Sequence, residues 1–155
     1  MRFFIDMAVI AALLWAAGSI EARAEPCAWM AVTVASKHIG AEPDANYNES
    51  NWGLGSEHCI GSVLGVEIRG AAGFFRNSNR IDSFYFGGSA TLLELGQARL
   101  GIAVMQVSGY QLDPILAAFP VLALEGRRLG ANFSYFPKTK DNVAAVGLQL
   151  KWRFR

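Results

Sequence analysis

The sequence predicts an all-β protein: an eight-stranded antiparallel up-and-down transmembrane β-barrel behind an export signal. Three observations carry this expectation. Segments of about ten residues alternate apolar with small or polar side chains between clusters of turn formers. The chain is 52% hydrophobic and only 17% charged, yet beyond its leader no apolar run reaches the roughly 18 residues of a membrane helix, so it must enter a bilayer as strands. Finally, Gly, Ala and Ser dominate the non-apolar faces of the third, fourth and fifth strands, as a lumen about one side chain deep requires.

The elements are justified in order. Residues 1–24 read as a signal peptide: Arg2, an apolar run from Met7 to Ala17, and Ala22-Arg23-Ala24 as a small-x-small cleavage site. The mature barrel, 25–155, then begins Glu25-Pro26-Cys27. Ala28 to His38 is the first strand, with Met30, Val32, Val34, Ser36 and His38 expected on one face. Gly40 to Ser50 is loop, and Asn51 to Ile60 is the second strand. Gly61-Ser62 is read as a tight turn into Val63 to Phe75, where Leu64, Val66, Ile68, Ala72 and Phe74 alternate with Gly65, Glu67, Arg69, Ala71 and Gly73. After the loop Arg76 to Arg80, Ile81 to Leu93 places Phe84 and Phe86 opposite Ser83, Tyr85 and Gly87. Gln97 to Gly109, Ile115 to Leu124, Arg127 to Phe136 and Val143 to Phe154 complete eight. The last strand alternates most regularly, Val146, Leu148, Leu150 and Trp152 against Gly147, Gln149, Lys151 and Arg153. Eight strands of about ten residues leave no room for a second domain. A lipocalin-like soluble barrel would turn the apolar face inward, but the opposite faces carry too few charges to meet water.

Charge and cysteine content bound the chemistry. A formal charge of +1 and the lack of a basic run predict no nucleic-acid partner. Cys27 and Cys59 are the only cysteines; a hairpin turning about residue 43 places them opposite each other, so they form either a cross-strand disulfide or two buried thiols. His58 beside Cys59 lacks a metal-ligand spacing, so neither metal nor cofactor is expected. Glu67, Arg69, Arg99 and Arg128 fall on the expected lumen face, where opposite charges can pair across strands.

With the mature N-terminus in the periplasm, His38 at the end of the first strand and Asn77-Ser78 after the third meet at the outer rim. A histidine near a serine can act as base for an acyl-transfer nucleophile, with an amide to hold the oxyanion. By spacing alone, a solvated histidine and an ordinary Asn-Ser turn explain these residues equally well. Proline donates no ladder hydrogen bond, so Pro120, with Pro114 ahead of its strand, either opens the wall to a lipid chain or merely shapes the edge.

Four segments, in order, resemble the lipid A palmitoyltransferases: His38 before a polar loop; Tyr47-Asn48-Glu49 followed by Trp52-Gly53; Phe75-Arg76-Asn77-Ser78; and Phe119-Pro120-Val121-Leu122 before Tyr135-Phe136-Pro137. The resemblance implies an eight-stranded outer-membrane barrel with an inner acyl pocket, moving a palmitoyl chain from phospholipid to lipid A. It implies catalytic roles for His38, Asn77 and Ser78, with Asn77 standing where the family has aspartate. His38 also lies nearer the Tyr-Asn-Glu motif than the family histidine does, and no room remains for the amphipathic helix ahead of the family's first strand. The expected partners are membrane lipids, and the expected state is a monomer. A non-catalytic outer-membrane barrel with a structural or surface-binding role, among the small barrels of bacteria and their phages, stands as the alternative.

Overall fold

The computed structural model describes residues 27–42, 44–110, 114–139 and 143–153; the expected signal peptide lies outside them. Eight strands follow one another: β1 (Ala28–Ile39), β2 (Gly53–Val63), β3 (Val66–Arg76), β4 (Asp82–Leu95), β5 (Ala98–Val107), β6 (Ile115–Glu125), β7 (Leu129–Phe136) and β8 (Ala144–Arg153). Each pairs antiparallel with the next and β8 returns to β1, so the sheet closes.

The two faces of the wall are those the alternation requires. In the β3–β4 pair the register runs unbroken from Ile68↔Ala90 to Arg76↔Asp82. Phe74 and Phe84 are exposed on one side, Phe84 by 67%. On the other, Arg69 is only 4% exposed and Ser83 is buried. Leu54, Leu100, Ile102, Leu116, Leu122 and Leu150 repeat the exposed apolar face around the wall. Each such side chain left in water forgoes roughly 1.5–3 kcal/mol, so this exterior is suited to lipid, and the protein is a transmembrane barrel.

Three irregularities alter what alternation predicts. Between Thr33↔Gln149 and Ala35↔Leu148 the β1–β8 register shifts, leaving Val34 as an extra residue. The bulge reverses the parity of β1. Ser36 and His38 therefore stand opposite Gly147 and Ala145 on the inner face, rather than sharing the outer face of Met30 and Val32. A second shift at Ile60 lengthens β2, so the β2–β3 turn is Leu64-Gly65 and not Gly61-Ser62. Both turn residues have positive φ, 53° and 79°, as a two-residue hairpin of matching twist needs. A third shift falls at Leu92 in β4.

Two seams are short. The β1–β2 ladder ends at Thr33↔Gly53, and beyond it the β1–β2 loop fills the gap, with Ser36 N donating to Glu49 O at 3.0 Å. A disulfide between Cys27 and Cys59 ties the opposite end of this seam, with the Cα atoms 5.4 Å apart. The β6–β7 ladder stops at Val121↔Ser134, one residue short of Pro120. Above that point β6 pairs with β5 alone and β7 with β8 alone.

The lumen toward the short turns holds a charge cluster. Arg69 Nε donates to Glu67 at 2.6 Å, and its Nη atoms reach Glu57 at 2.6 Å and Glu125 Oε2 at 3.0 Å. Lys151 Nζ bridges Glu57 (3.1 Å) and Glu125 (2.5 Å), Arg99 joins Glu67 at 2.8 Å, and Asn132 donates to Glu57 at 3.1 Å. Three lumen carboxylates meet three cations, Arg99 also reaching the more exposed Glu94 at 2.8 Å, and the lumen members come from β2, β3, β5, β6, β7 and β8. Arg128, expected in this lumen, is instead exposed in the β6–β7 turn, because β7 starts only at Leu129.

Candidate functional site

The other end of the barrel carries the longer loops, and two of them are laced together by the polar residues of the Tyr47–Gly53 stretch. Asn48 N donates to Ser78 O at 2.9 Å, and Asn48 Nδ2 to Asn77 O at 3.1 Å. The buried Asn51 donates to Arg76 O at 2.9 Å and accepts from Ser36 Oγ at 2.5 Å. Arg80 donates to the Asn46 carbonyl at 2.9 Å and to its side chain at 2.8 Å. Trp52 stands outside, edge-on to Phe74 with centroids 6.2 Å apart, as an aromatic at a membrane interface does. Gly53 is required by crowding: a side chain there would strike Phe74 and Phe75.

His38 is held within this lacework. Its ring stacks on Tyr47 with centroids 4.2 Å apart and planes 13° from parallel. The side chain is 8% exposed, and Nδ1 is buried without a hydrogen-bond partner among the described residues. The nearest acid is Glu49, whose Oε1 lies 3.9 Å from Nδ1 and accepts the His38 backbone N–H at 3.3 Å. Its Oε2 accepts Lys37 Nζ at 3.0 Å, and this bond holds the Glu49 carboxyl below its usual range.

Asn77 and Ser78, adjacent in sequence, have different surroundings. Asn77 is 0% exposed. Its Oδ1 accepts the backbone N–H groups of Asn79 (2.8 Å) and Ile81 (3.0 Å), while Nδ2 donates to Ser83 Oγ (3.0 Å) and the Gly109 carbonyl (2.8 Å). In this arrangement both polar atoms of the Asn77 side chain are engaged with the protein. It also explains why an amide fits at this position: a carboxylate there would face the Gly109 carbonyl oxygen with no proton to share.

Ser78 and His38 instead border one cavity of about 400 Å³ in the outer half of the lumen, within the range of small-ligand sites. Its walls are largely apolar, with Ile115, Ala117 and Phe119 from β6 and Phe136 from β7. The Phe119 and Phe136 rings, 4.5 Å apart, meet across the unladdered seam beside Pro120. Pro114 lies exposed just ahead of β6. Tyr110 joins the rim, its phenol pushed up by burial and so neutral at physiological pH.

The floor is a layer of Tyr85, Met105, Gln149 and Thr33. Gln149 Nε2 donates to Thr33 Oγ1 at 3.0 Å and lies 3.3 Å from Tyr85 Oη. Tyr85 can lie across the lumen because Gly55 and Gly73 are cross-strand partners, and a Cβ on either would strike its ring. Beneath the floor Gly101 and Ala103 line only a void of about 60 Å³ beside Arg69 and Arg99. Tyr85 and Gln149 carried a visible signal, polar residues on small-residue faces; Phe119 and Phe136 stood out only within their proline-containing segments.

No family model matches the chain, and no curated protein matches it. Among solved structures it is similar to the solution structure of the de novo designed TMB2.3, with a TM-score of 0.58 and 12% identity over 86% of this chain and 98% of that one. It is also similar to the Yersinia pestis outer membrane protein Ail in a phospholipid bilayer nanodisc, with a TM-score of 0.45 and 13% identity over 84% and 100%. At 12% identity the likeness to TMB2.3 is one of fold, that of the closed antiparallel barrel.

Proposed function

We propose that this protein is an outer-membrane acyltransferase of a Gram-negative bacterium that moves a palmitoyl chain from phospholipid to lipid A, using Ser78 and His38. The long-loop end, and with it the site, faces the outer leaflet, as short turns belong to the periplasmic side. The observation that carries the reading is the cavity itself. It is largely apolar, floored, lined in part by His38 and Ser78, and flanked by a wall seam without a ladder, a route by which a lipid chain can enter sideways.

Ser78 Oγ attacks the carbonyl of the donor ester, and its proton passes to His38. The ester C–O bond breaks, and the glycerol oxygen takes that proton and leaves as lysophospholipid. A lipid A hydroxyl then gives its proton to His38 and attacks the acyl-serine; Ser78 Oγ leaves and recovers the proton. One ester replaces another, with no net consumption of protons. With Asn77 occupied, loop backbone amides supply the oxyanion donors. Asn77 serves by shaping the turn that carries Ser78.

Expression in a bacterium without such activity should add one palmitoyl chain to lipid A, read by mass spectrometry. An unchanged spectrum from correctly inserted protein favours the passive barrel, a reading to which the fully engaged Asn77 lends weight.

A further inference from the structure

We propose that Glu49 is the carboxylate that positions His38, accepting a hydrogen bond from Nδ1–H and leaving Nε2 bare to take up the proton in transfer. The catalytic half of this inference rests on the acyltransferase reading; the contact between the two side chains does not.

Four observations converge on this pair. A buried ring nitrogen without a partner is costly, and Nδ1 of His38 is such an atom. The Glu49 carboxylate is already fixed from two sides, by the His38 backbone N–H on Oε1 and by Lys37 on Oε2. Its main chain is held as well, through Ser36 N. Tyr47, stacked on the imidazole, fixes the plane of the ring. The 3.9 Å from Nδ1 to Oε1 is about 1 Å beyond a hydrogen bond, a gap that small rotations close as an occupied site tightens. Lys37 and Glu49 are the charged groups facing His38, and across β8 its register partner is the uncharged Ala145.

Glu49 thereby takes the task that Asn77 cannot perform. The Val34 bulge turns His38 inward, and the β1–β2 loop folds back over it, so a carboxylate eleven residues along the chain arrives beside the ring. The other ring nitrogen is set by this contact, because the hydrogen bond at one imidazole nitrogen selects the tautomer at the other.

The test uses the full mature chain in detergent micelles, with ¹⁵N-labelled histidine. In the wild type, NMR should find His38 protonated at Nδ1 and bare at Nε2 when the ring is neutral. Glu49→Ala should move the population toward the other tautomer, whereas Lys37→Met should leave it in place. If Glu49→Ala disturbs the loop, seen in the Asn48 and Ser78 amide shifts, Glu49→Gln provides the decision: an acceptor without charge should keep the tautomer yet lower kcat roughly 100-fold with KM little changed. An Nε2-protonated wild type, or a tautomer indifferent to Glu49→Ala with the loop intact, overturns the proposal. If the wild type transfers no acyl chain, the acyltransferase reading falls and the tautomer result still decides the role of Glu49.

Discussion

The two halves of the lumen are built on the same parity and filled in opposite ways. Toward the short turns, three carboxylates and three cations from five strands close the barrel with ion pairs. Toward the long loops, the same inward positions hold Ala117, Ala145 and Gly147 and leave a cavity of about 400 Å³. Were it dry and closed, that space would forgo up to about 10 kcal/mol of packing, comparable to the whole stability of a typical domain. The contrast teaches that one half is organised for stability and the other keeps room for a guest. Tyr85, lying across the Gly55–Gly73 pair, is the partition between them.

The largest expected effects fall on the outer half. Ser78→Ala and His38→Ala should each lower lipid A palmitoylation by about 100- to 10,000-fold while the barrel unfolds at its usual urea concentration. Activity retained in both variants would remove the assigned roles. In the inner half the expectation reverses: Arg69→Leu leaves three carboxylates facing two cations, and breaking such a pair costs about 3–5 kcal/mol. Urea unfolding in lipid should register that loss, while the protein that remains folded keeps its activity. A variant that loses activity at full stability would show that the two halves are coupled.

Smaller effects refine the boundary. Replacing both Cys27 and Cys59 with serine removes a 32-residue link, which should cost roughly 3–4 kcal/mol on chain-entropy grounds. It should leave the palmitoylation rate unchanged, because the bridge lies at the far end from His38. Ala117→Leu narrows the cavity, so the transferred chain should shorten in the lipid A mass spectrum while the unfolding midpoint holds or rises. The smallest effect concerns pH. The Glu49 carboxyl is depressed by its bond to Lys37, so its contribution is present above the ordinary glutamate range and disappears as pH falls through the lowered value. Amide exchange in the β1–β2 loop should quicken there, and Lys37→Met should bring the quickening to higher pH.

Much of the wall was legible in the chain. Alternation in β3, β4, β5 and β8 identified which side chains meet lipid, because a closed sheet with one apolar face admits only one assignment once the other face is too small and too sparsely charged for water. Glu67, Arg69 and Arg99 were placed in the lumen by the same parity. Their partners Glu57, Glu125 and Lys151 were harder to foresee, since contacts across a lumen join strands that are distant in sequence. The stretch from Tyr47 to Gly53 stood out as a motif, but its lacing to Ser78 and Arg76 depended on a second loop.

Local pattern thus sufficed for strand number and for the outward face. Closure of the barrel had to supply the rest. An inserted residue such as Val34 leaves no mark in composition yet reverses every side chain beyond it, so the inward turn of His38 waited on pairing with β8. The engagement of Asn77, the approach of Glu49 to the imidazole and the Tyr85 floor likewise arise where separate strands and loops converge. Those contacts depend on geometry between elements, which no periodicity within one element encodes.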